Sequence, residues 1–369
     1  MPDYQLPQSR IKEFMINTAR ADLDGSRAAS TVSFIRSIYE NSDIDQRSST
    51  IPDFGASEPA DHSFFPPNRD LEPLPTTDDR MRHYETEAPE LAERAGRSAL
   101  RQAEVNPREV THLVFTSCTG HFAPGPGTKL IQRLGLSSSV RRILVGFMGC
   151  YAGFNTLRTA AEIVRGQPSA TVLMVCLELC TLHFQKDFSR NGIVSDCLFS
   201  DGCAASVVTG PDGAARSAPL ALLGPSHCQV DAEQEERMTW RIGDHGFNMY
   251  LDPEVPDRLK PHIEPFVNQL LQQWEEVSDD IQEWAVHPGG SKILDIVCEV
   301  LELAPKHRLS ASRDILRSFG NMSSPTIFFI LNRIIGQTAL DADTCALGFG
   351  PGLSLEGMLL FPPNRHPIQ

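Results

Sequence analysis

The hydrophobic pattern divides the chain at about residue 110. Before that point, apolar positions recur at helical spacing in three segments, at 13–21, 30–39 and 89–105. Residues 41–80 are polar and interrupted by prolines, among them Pro52, Pro66, Pro67, Pro73 and Pro75, which is typical of a long loop region. Pro89 is expected in the first turn of its helix, where no N–H partner is needed, and Asn106-Pro107 is expected to end that helix.

From residue 111 onward, short apolar runs alternate with longer amphipathic segments. The runs predict strands at 111–118, 141–147, 171–178, 283–287, 344–348 and 354–361. The segments between them predict helices at 128–134, 151–165, 258–274, 291–303, 313–319 and 326–335. This alternation indicates an α/β fold with a largely parallel, layered sheet. A Gly-, Pro- and Ala-rich stretch at 209–226 predicts two halves of similar rhythm, 1–210 and 211–369, although no sequence repeat is legible.

Composition excludes several classes of protein. With 41% hydrophobic residues in 369, the chain can bury a sizeable core, which excludes wholesale disorder. Its net charge of −14 argues against a nucleic-acid surface, which needs basic stripes, but leaves room for one local basic patch. No apolar run is long enough for a membrane helix, and the polar N-terminus lacks the apolar region of a secretory signal. We therefore expect a cytoplasmic protein without a membrane partner.

The nine cysteines are odd in number and scattered, with no Cys-x-x-Cys pair. Neither a disulfide framework nor a zinc site fits this spacing, so most of them are expected to be reduced, buried thiols.

One cysteine stands at a chemically special position. In LVGFMGCYAGFN a predicted strand ends at Gly149-Cys150 and a helix follows at once. Unpaired N–H groups and the macrodipole at a helix N-terminus favour a thiolate, which is the nucleophilic form of cysteine. An inert buried thiol is the commoner role of cysteine, so spacing alone leaves a nucleophilic Cys150 open.

Two further residues could assist such a nucleophile. His287 ends the strand EWAVH before a Pro-Gly-Gly turn, a place where α/β folds present side chains to a crevice. Asn321 lies in the turn FGNMSSP before a predicted helix. Taken singly, His287 is equally a satisfied loop histidine, and Asn321 is more often a turn or cap residue.

Taken together, these residues carry a resemblance. The motifs MGCYAG around Cys150, VHPGG around His287, GNMSSP around Asn321 and GFGPGL at 348–353 stand in this order along the chain. YQLPQ, SCTGHFAPG and CLFSDGCAA add supporting matches. The chain resembles the type III polyketide synthases, the chalcone synthase-like branch of the thiolase-fold condensing enzymes. The resemblance implies a thiolase-like layered αβαβα fold of two duplicated halves.

The resemblance also implies an activity. Cys150 would hold a starter acyl group taken from an acyl-CoA, and His287 would stabilise its thiolate. His287 and Asn321 would then bind the thioester carbonyl of malonyl-CoA while carbon dioxide leaves. Successive condensations and a cyclisation would give a small aromatic or pyrone product. Coenzyme A thioesters are then the substrates, no metal or other cofactor is required, and a homodimer is expected.

Cavity residues follow from the same resemblance. Phe199 matches an aromatic gatekeeper, and Met249 takes the place of a second one that is usually Phe. Cys118 matches a cavity position that is Thr in plant chalcone synthases and Cys in bacterial tetrahydroxynaphthalene synthases. The remaining substrate-binding positions are Cys180, His183, Trp240, Gly350, Pro351 and Gly352.

Three departures from the family change the expectation. The family has an apolar strand before YQLPQ, whereas this sequence starts almost at that motif, so an exposed neighbouring strand edge is expected. Of three basic residues for the CoA phosphates only Arg36 is matched, with Ser33 and Glu40 at the other two places. The net charge of −14 gives no long-range steering of an anionic substrate. Separately, Ala123 stands where the family has a Met in the SCTGHFAPG loop.

Two other functions remain open at this point. A non-catalytic homologue that binds acyl groups would explain why only one of the three basic residues for the CoA phosphates is matched. A ketoacyl synthase that depends on a carrier protein would use the same nucleophile with a different donor. A papain-like cysteine hydrolase is disfavoured, because the α/β rhythm and the GFGPG loop have no place in it.

Overall fold

The computed structural model describes residues 1–274, 281–303, 306–336 and 339–365. Up to residue 209 the elements are β1 (Tyr4–Pro7), α1 (Gln8–Asp22), α2 (Gly25–Glu40), β2 (Gln46–Ser49), α3 (Thr77–Gln102), β3 (His112–Ser117), α4 (Pro126–Leu134), β4 (Arg141–Gly146), α5 (Ala152–Gly166), β5 (Thr171–Leu179), α6 (Arg190–Leu198) and β6 (Asp201–Thr209). From residue 222 they are β7 (Leu222–Val230), β8 (Met238–Gly243), β9 (Gly246–Leu251), α7 (Val255–Gln272), β10 (Glu283–Val286), α8 (Ser291–Val300), α9 (Ser310–Phe319), α10 (Thr326–Ile335), β11 (Thr344–Gly350) and β12 (Ser354–Phe361).

Two four-stranded sheets organise these elements. The first has the order β4-β3-β5-β6 and the second the order β10-β11-β12-β7. In the first, β3 is parallel to β4 and β5, while β6 is antiparallel to β5. In the second, β10 is parallel to β11, and β12 is antiparallel to both of its neighbours. The run β3-β5-β6 thus has the same strand directions as β10-β11-β12, which is what duplicated halves require.

The sheets are more mixed than the expected, largely parallel arrangement. Only the three residues 351–353 connect β11 to β12, and so short a connection can join only antiparallel strands. Two further strand pairs, β1-β2 and β8-β9, are also antiparallel and lie outside the main sheets.

Helices α5 and α10 lie between the two sheets. Their apolar side chains share one core cluster with inward-facing residues of both sheets, including Phe154, Leu157, Ile327, Ile330, Val114, Met174, Ala285 and Ala346. Fully burying a Phe or Ile side chain contributes about 1.5–3 kcal/mol, so this layer stabilises the contact between the halves. A second cluster places α3 and α4 outside the first sheet, and a third places α7 and α8 outside the second. The result is a layered αβαβα arrangement, as expected.

Helix bounds that were expected from the positions of prolines differ from the observed ones. Helix α3 begins twelve residues before Pro89, because Thr76 and Asp79 form a capping box at its start. Pro89 therefore lies inside the helix, where the packing of a 26-residue amphipathic segment outweighs one missing hydrogen bond. Helix α7 likewise contains Pro261 and Pro265. The hydrophobic pattern gave no expectation for α6 or for β6–β9.

No helix within the described residues is both long and apolar enough to cross a membrane.

Candidate active site

A cavity of about 780 Å³ lies between the two sheets' ends and is lined from both halves of the chain. Cys150, His287 and Asn321 all line it. Their exposed fractions are 8%, 1% and 1%, so all three residues are buried in the cavity wall. The fold therefore brings into one chamber the three residues that the motifs single out.

Cys150 lies in the turn between β4 and α5, and this turn packs tightly against the GFGPGL loop. Gly149 has a φ of +89°, and a Cβ built there would lie 2.3 Å from Pro351 Cδ. A Cβ on Gly350 would lie 2.6 Å from the Tyr151 ring. Only glycine satisfies both the positive φ and the close contact at 149. The thiol is thus held in place by a loop from the other half of the chain.

The acidity of the Cys150 thiol differs from the expectation for a helix N-terminus. Burial raises the pKa of Cys150 to about 11, although hydrogen bonds with the Ser323 and Asn321 side chains act in the opposite direction. The buried carboxyl of Glu178 also raises it. The desolvation of the sulfur outweighs the favourable helix end, so the isolated thiol is protonated at neutral pH.

A backbone hydrogen bond positions His287, whereas its imidazole ring is available to a ligand. Its N–H donates to the Leu347 carbonyl at 2.8 Å, which continues the pairing of β10 with β11. Among the described residues neither imidazole nitrogen has a hydrogen-bond partner. Burial lowers the pKa of His287 to about 3, so the ring is neutral before substrate binds. A neutral imidazole without a hydrogen-bond partner, buried in the wall of a cavity, can accept a proton or donate a hydrogen bond to a ligand.

Asn321 is fixed by three hydrogen bonds. Its backbone N–H donates to the Leu198 carbonyl, and its carbonyl accepts from Ser200 N–H, both at 2.9 Å. Its Oδ1 accepts from Ser323 N–H at 2.8 Å. With Oδ1 held by the backbone, the Nδ2 amide is left to donate toward the sulfur and the cavity.

A buried carboxylate, Glu178, joins the loops behind the site, and its role was missed in the sequence. Its Oε2 accepts from Cys118 N–H and from Thr119 Oγ1, each at 2.8 Å, and its Oε1 accepts from Ser324 Oγ at 2.7 Å. Burial raises the pKa of Glu178 to about 7. The available signal was a single acidic residue within the apolar strand VLMVCLEL, since fully buried carboxylates are rare unless they are paired.

The inner wall contains most of the expected cavity residues. Cys118, Cys180, His183 and Trp240 all line the cavity. Trp240 Nε1 donates to the Cys118 carbonyl at 2.7 Å. His183 Nε2 donates to the Thr119 carbonyl at 2.7 Å while Nδ1 accepts from Phe247 N–H, and burial lowers the pKa of His183 to about 3. His183 is therefore a neutral, fully bonded part of the wall.

Phe199 and Met249 also line the cavity. Phe199 directly follows α6 and pairs with Asn321 in an isolated β-bridge. Arg47, which is buried, donates to the Phe199 carbonyl and to Gln8 Oε1. The backbone of the aromatic residue is thus tied to the same turn that holds Asn321.

Three expected substrate-binding residues are not among those that line the cavity. Arg36 is exposed, because the side of α2 that faces the cavity carries positions 34, 37 and 38. Residues at these spacings share one helix face, and position 36 points away from it. Gly350 and Gly352 are not among the lining residues, whereas Pro351 between them is.

No group of three or more histidine, cysteine, aspartate or glutamate side chains within the described ranges is arranged to hold a metal ion.

Two family models match the sequence. Residues 66–213 match the N-terminal domain of chalcone and stilbene synthases, and residues 226–362 match the C-terminal domain.

Three relatives illustrate the similarity. The alpha-pyrone synthesis polyketide synthase-like Pks18 of Mycobacterium tuberculosis is 34% identical over 290 residues, which cover 77% of this chain and 73% of the relative. The 1,3,6,8-tetrahydroxynaphthalene synthase of Streptomyces peucetius subsp. caesius is 34% identical over 272 residues, covering 73% and 72%. Probable polyketide synthase 1 of Dictyostelium discoideum is 31% identical over 98% of this chain, which spans only 11% of that protein.

Solved structures agree with these matches. The C-terminal type III polyketide synthase domain of Steely1 from Dictyostelium superposes with a TM-score of 0.88 and 29% identity, covering 98% of this chain and 96% of that domain. The tetrahydroxynaphthalene synthase of Streptomyces coelicolor A3(2) superposes with a TM-score of 0.84 and 26% identity, covering 98% and 97%.

Proposed function

Since the chain belongs to the chalcone and stilbene synthase family of type III polyketide synthases, we propose that Cys150, His287 and Asn321 perform its condensation chemistry. The family consists of acyl-transferring enzymes that use coenzyme A thioesters and no additional cofactor. The observation that carries the assignment is the convergence of these three buried side chains on one cavity.

In the loading step, Cys150 Sγ attacks the thioester carbonyl of a starter acyl-CoA. Its proton goes to His287, whose unpartnered ring can accept it. Burial disfavours each charge singly, so thiolate and imidazolium form together and stabilise one another. The C–S bond to coenzyme A then breaks, and the departing thiolate takes the proton from the imidazolium. Cys150 is left as an acyl thioester.

In the extension step, malonyl-CoA loses carbon dioxide. The electron pair of the broken C–C bond becomes an enolate on the thioester oxygen. His287 and the Asn321 amide donate hydrogen bonds to this oxygen, and one such donor is typically worth about 3–4 kcal/mol of barrier lowering. The enolate carbon attacks the Cys150 thioester, and the Cys150 sulfur leaves as a thiolate. The lengthened chain is now a thioester of coenzyme A. For the next cycle the Cys150 thiolate attacks its thioester carbonyl, the C–S bond to coenzyme A breaks, and coenzyme A leaves as a thiolate.

The test separates the nucleophile from the decarboxylation site. Wild-type protein with labelled malonyl-CoA and a panel of starter thioesters should release carbon dioxide and form labelled product. Cys150→Ala should lose product but still release carbon dioxide, because His287 and Asn321 remain. Asn321→Ala should lower both. Cys228→Ala, an exposed thiol outside the cavity lining, is the matched control and should behave as wild type.

Three results would contradict this assignment. One is the absence of product and carbon dioxide with every starter. Another is product formation by Cys150→Ala. The third is extension from a malonyl-carrier protein but not from malonyl-CoA, which would indicate a carrier-dependent ketoacyl synthase.

The same proposal extends to the product. Phe199 and Met249 would separate the CoA channel from the inner cavity, and Cys118, Cys180, His183 and Trp240 would shape the chain within it. The two relatives of known product class are named for an alpha-pyrone and a tetrahydroxynaphthalene. A small pyrone or aromatic product is consistent with a cavity narrowed by an indole ring.

The proposal includes a homodimer built on the edge of β4. This strand pairs only with β3 in the described part of the chain, and Leu144 on it is 58% exposed. Phe147 follows it with 39% exposure. An open edge with exposed apolar side chains supports pairing with a second copy. Sedimentation should give a dimer for wild type and a monomer for Leu144→Asp, and a monomeric wild type would contradict the proposal.

The proposal also includes the cellular location of the protein and the division of its chain into two halves. We place the protein in the cytoplasm, where its cysteines would stay reduced. We divide the chain into halves at 210/211, between the end of β6 and the start of β7. Expression of each half alone should give no condensation activity, because the site residues come from both.

A further inference from the structure

Coenzyme A carries a diphosphate and a 3′-phosphate, and phosphates are bound in proteins chiefly by arginine and lysine. On this chain the binding must be local, because the net charge is −14. Among the described cavity-lining residues, the arginines and lysines are Arg47, Arg190 and Lys292.

Two of these cations already have protein partners. Arg47 is 3% exposed and donates to Gln8 and to the Phe199 carbonyl, so it supports the wall. Lys292 forms an ion pair with Asp257, with 3.1 Å between Nζ and Oδ2. Arg190 is exposed, and its guanidinium lies over the Phe34 ring, with 5.1 Å between Cζ and the ring centroid. A guanidinium over a ring keeps its N–H edges free for an anion.

Helix α6 sets the distance between this cation and the inner cavity. Arg190 is the first residue of the helix, and Phe199 directly follows its last residue. At a rise of 1.5 Å per residue, the two lie about 13 Å apart along the axis. An extended pantetheine arm, counted as four to five residues of chain, spans about 15 Å. A thioester that reaches past Phe199 thus leaves its phosphates near Arg190.

The neighbouring helix offers no competing cation. Its cavity face carries Phe34, Ser37, Ile38 and Asn41, which are uncharged. Two acidic residues of the Arg190 segment, Asp187 and Asp196, also line the cavity, and the Asp187 carboxylate accepts from Ser189 N–H and Oγ at 2.9 Å. The wall contributed by α2 is therefore uncharged, and α2 adds no second positive charge beside Arg190.

We propose that Arg190, supported by Phe34, binds the phosphates at the outer end of the coenzyme A arm. The assignment rests on the proposed use of CoA thioesters. Arg190 is then a binding residue that takes no part in the reaction. Its loss weakens the binding of the CoA part of each substrate and leaves the reaction at Cys150 unchanged.

Calorimetric titration tests this directly. Wild type, Arg190→Ala and Arg190→Lys are each titrated with CoA, dephospho-CoA and pantetheine. Arg190→Ala should weaken CoA binding about tenfold, the effect of losing one charge-assisted hydrogen bond, and should leave pantetheine binding unchanged. Arg190→Lys should recover part of the loss. A loss confined to CoA assigns Arg190 to the 3′-phosphate, whereas a loss shared by dephospho-CoA assigns it to the diphosphate. Arg27→Ala, an exposed arginine on α2 away from the cavity, is the matched control.

Kinetics provide the second readout. Arg190→Ala should raise KM for malonyl-CoA about tenfold without changing kcat, and should not affect malonyl-N-acetylcysteamine, which has no phosphates. Equal CoA binding by wild type and Arg190→Ala would overturn the inference, as would a parallel loss of pantetheine. If wild type condenses nothing, the proposed function fails, but the calorimetric comparison still decides the role of Arg190.

Discussion

The buried carboxyl of Glu178 makes a prediction about stability. Its pKa is raised from the usual 4.5 to about 7 by burial. Below pH 4.5 it is protonated in both the folded and the unfolded chain. As the pH rises from 4.5 to 7, the unfolded chain releases this proton and the folded chain keeps it. The free energy of unfolding therefore falls with rising pH across this window.

The size of the effect follows from the shift. One pKa unit corresponds to 1.36 kcal/mol, so the change to about 7 costs about 3 kcal/mol of stability above pH 7. Glu178→Gln removes the titration. The amide oxygen can still accept from Cys118 N–H and Thr119 Oγ1, and its NH₂ can donate to Ser324 Oγ.

Urea unfolding of wild type and Glu178→Gln at pH 5, 6, 7 and 8 tests the reasoning. The free energy of unfolding of the variant, relative to that of the wild type, should rise by about 3 kcal/mol from pH 5 to pH 8. Asp201, whose pKa burial raises to about 6, titrates in both proteins and cancels in the difference. Glu162→Gln, an exposed control on α5, should follow the wild type. Parallel curves for wild type and Glu178→Gln would refute the argument.

Two further substitutions test the site. Gly149→Ala should destabilise the protein by at least ~2 kcal/mol and abolish condensation, since it combines a φ of +89° with a contact at Pro351. In urea unfolding Gly166→Ala, whose Cβ meets nothing within 4 Å, should stay within ~0.5 kcal/mol of wild type, and similar losses in both would contradict the steric explanation. Trp240→Ala should enlarge the cavity and shift products by mass spectrometry toward more malonyl-derived units. An unchanged product would show that the indole does not limit chain length.

Much of the fold was predictable because the buried strands are continuous apolar runs. The strand at 354–361 and the helix at 326–335 were given their observed bounds from the pattern alone. Helix starts that depend on capping were not, as α3 shows: its Thr76–Asp79 box outweighs the local signal of Pro89. The hairpin β8-β9 was missed because one of its faces covers a cavity, so its apolar residues are interspersed with polar ones such as Thr239 and Arg241 and form no continuous apolar run.

At the candidate site, the motifs singled out Cys150, His287 and Asn321, and the structure places all three on one cavity. The protonation states of Cys150 and His287 could not be predicted from the motifs, because the burial that shifts their pKa values depends on contacts from both halves. Arg36 shows that matching a helix to a family motif does not establish which face a residue occupies. A shift of one residue moves a side chain about 100° around a helix, and Arg36 does not lie on the cavity face.

The packing of Pro351 against Gly149 affects the order in which the protein becomes active. The turn that presents the thiol is completed by a loop that lies two hundred positions later in the chain. A ribosome that has made only the first half therefore holds a cysteine without its supporting loop, its imidazole or its carboxamide. Under the proposed function, the nucleophile is complete only once the second half has been made, so unfinished chains would not capture acyl groups.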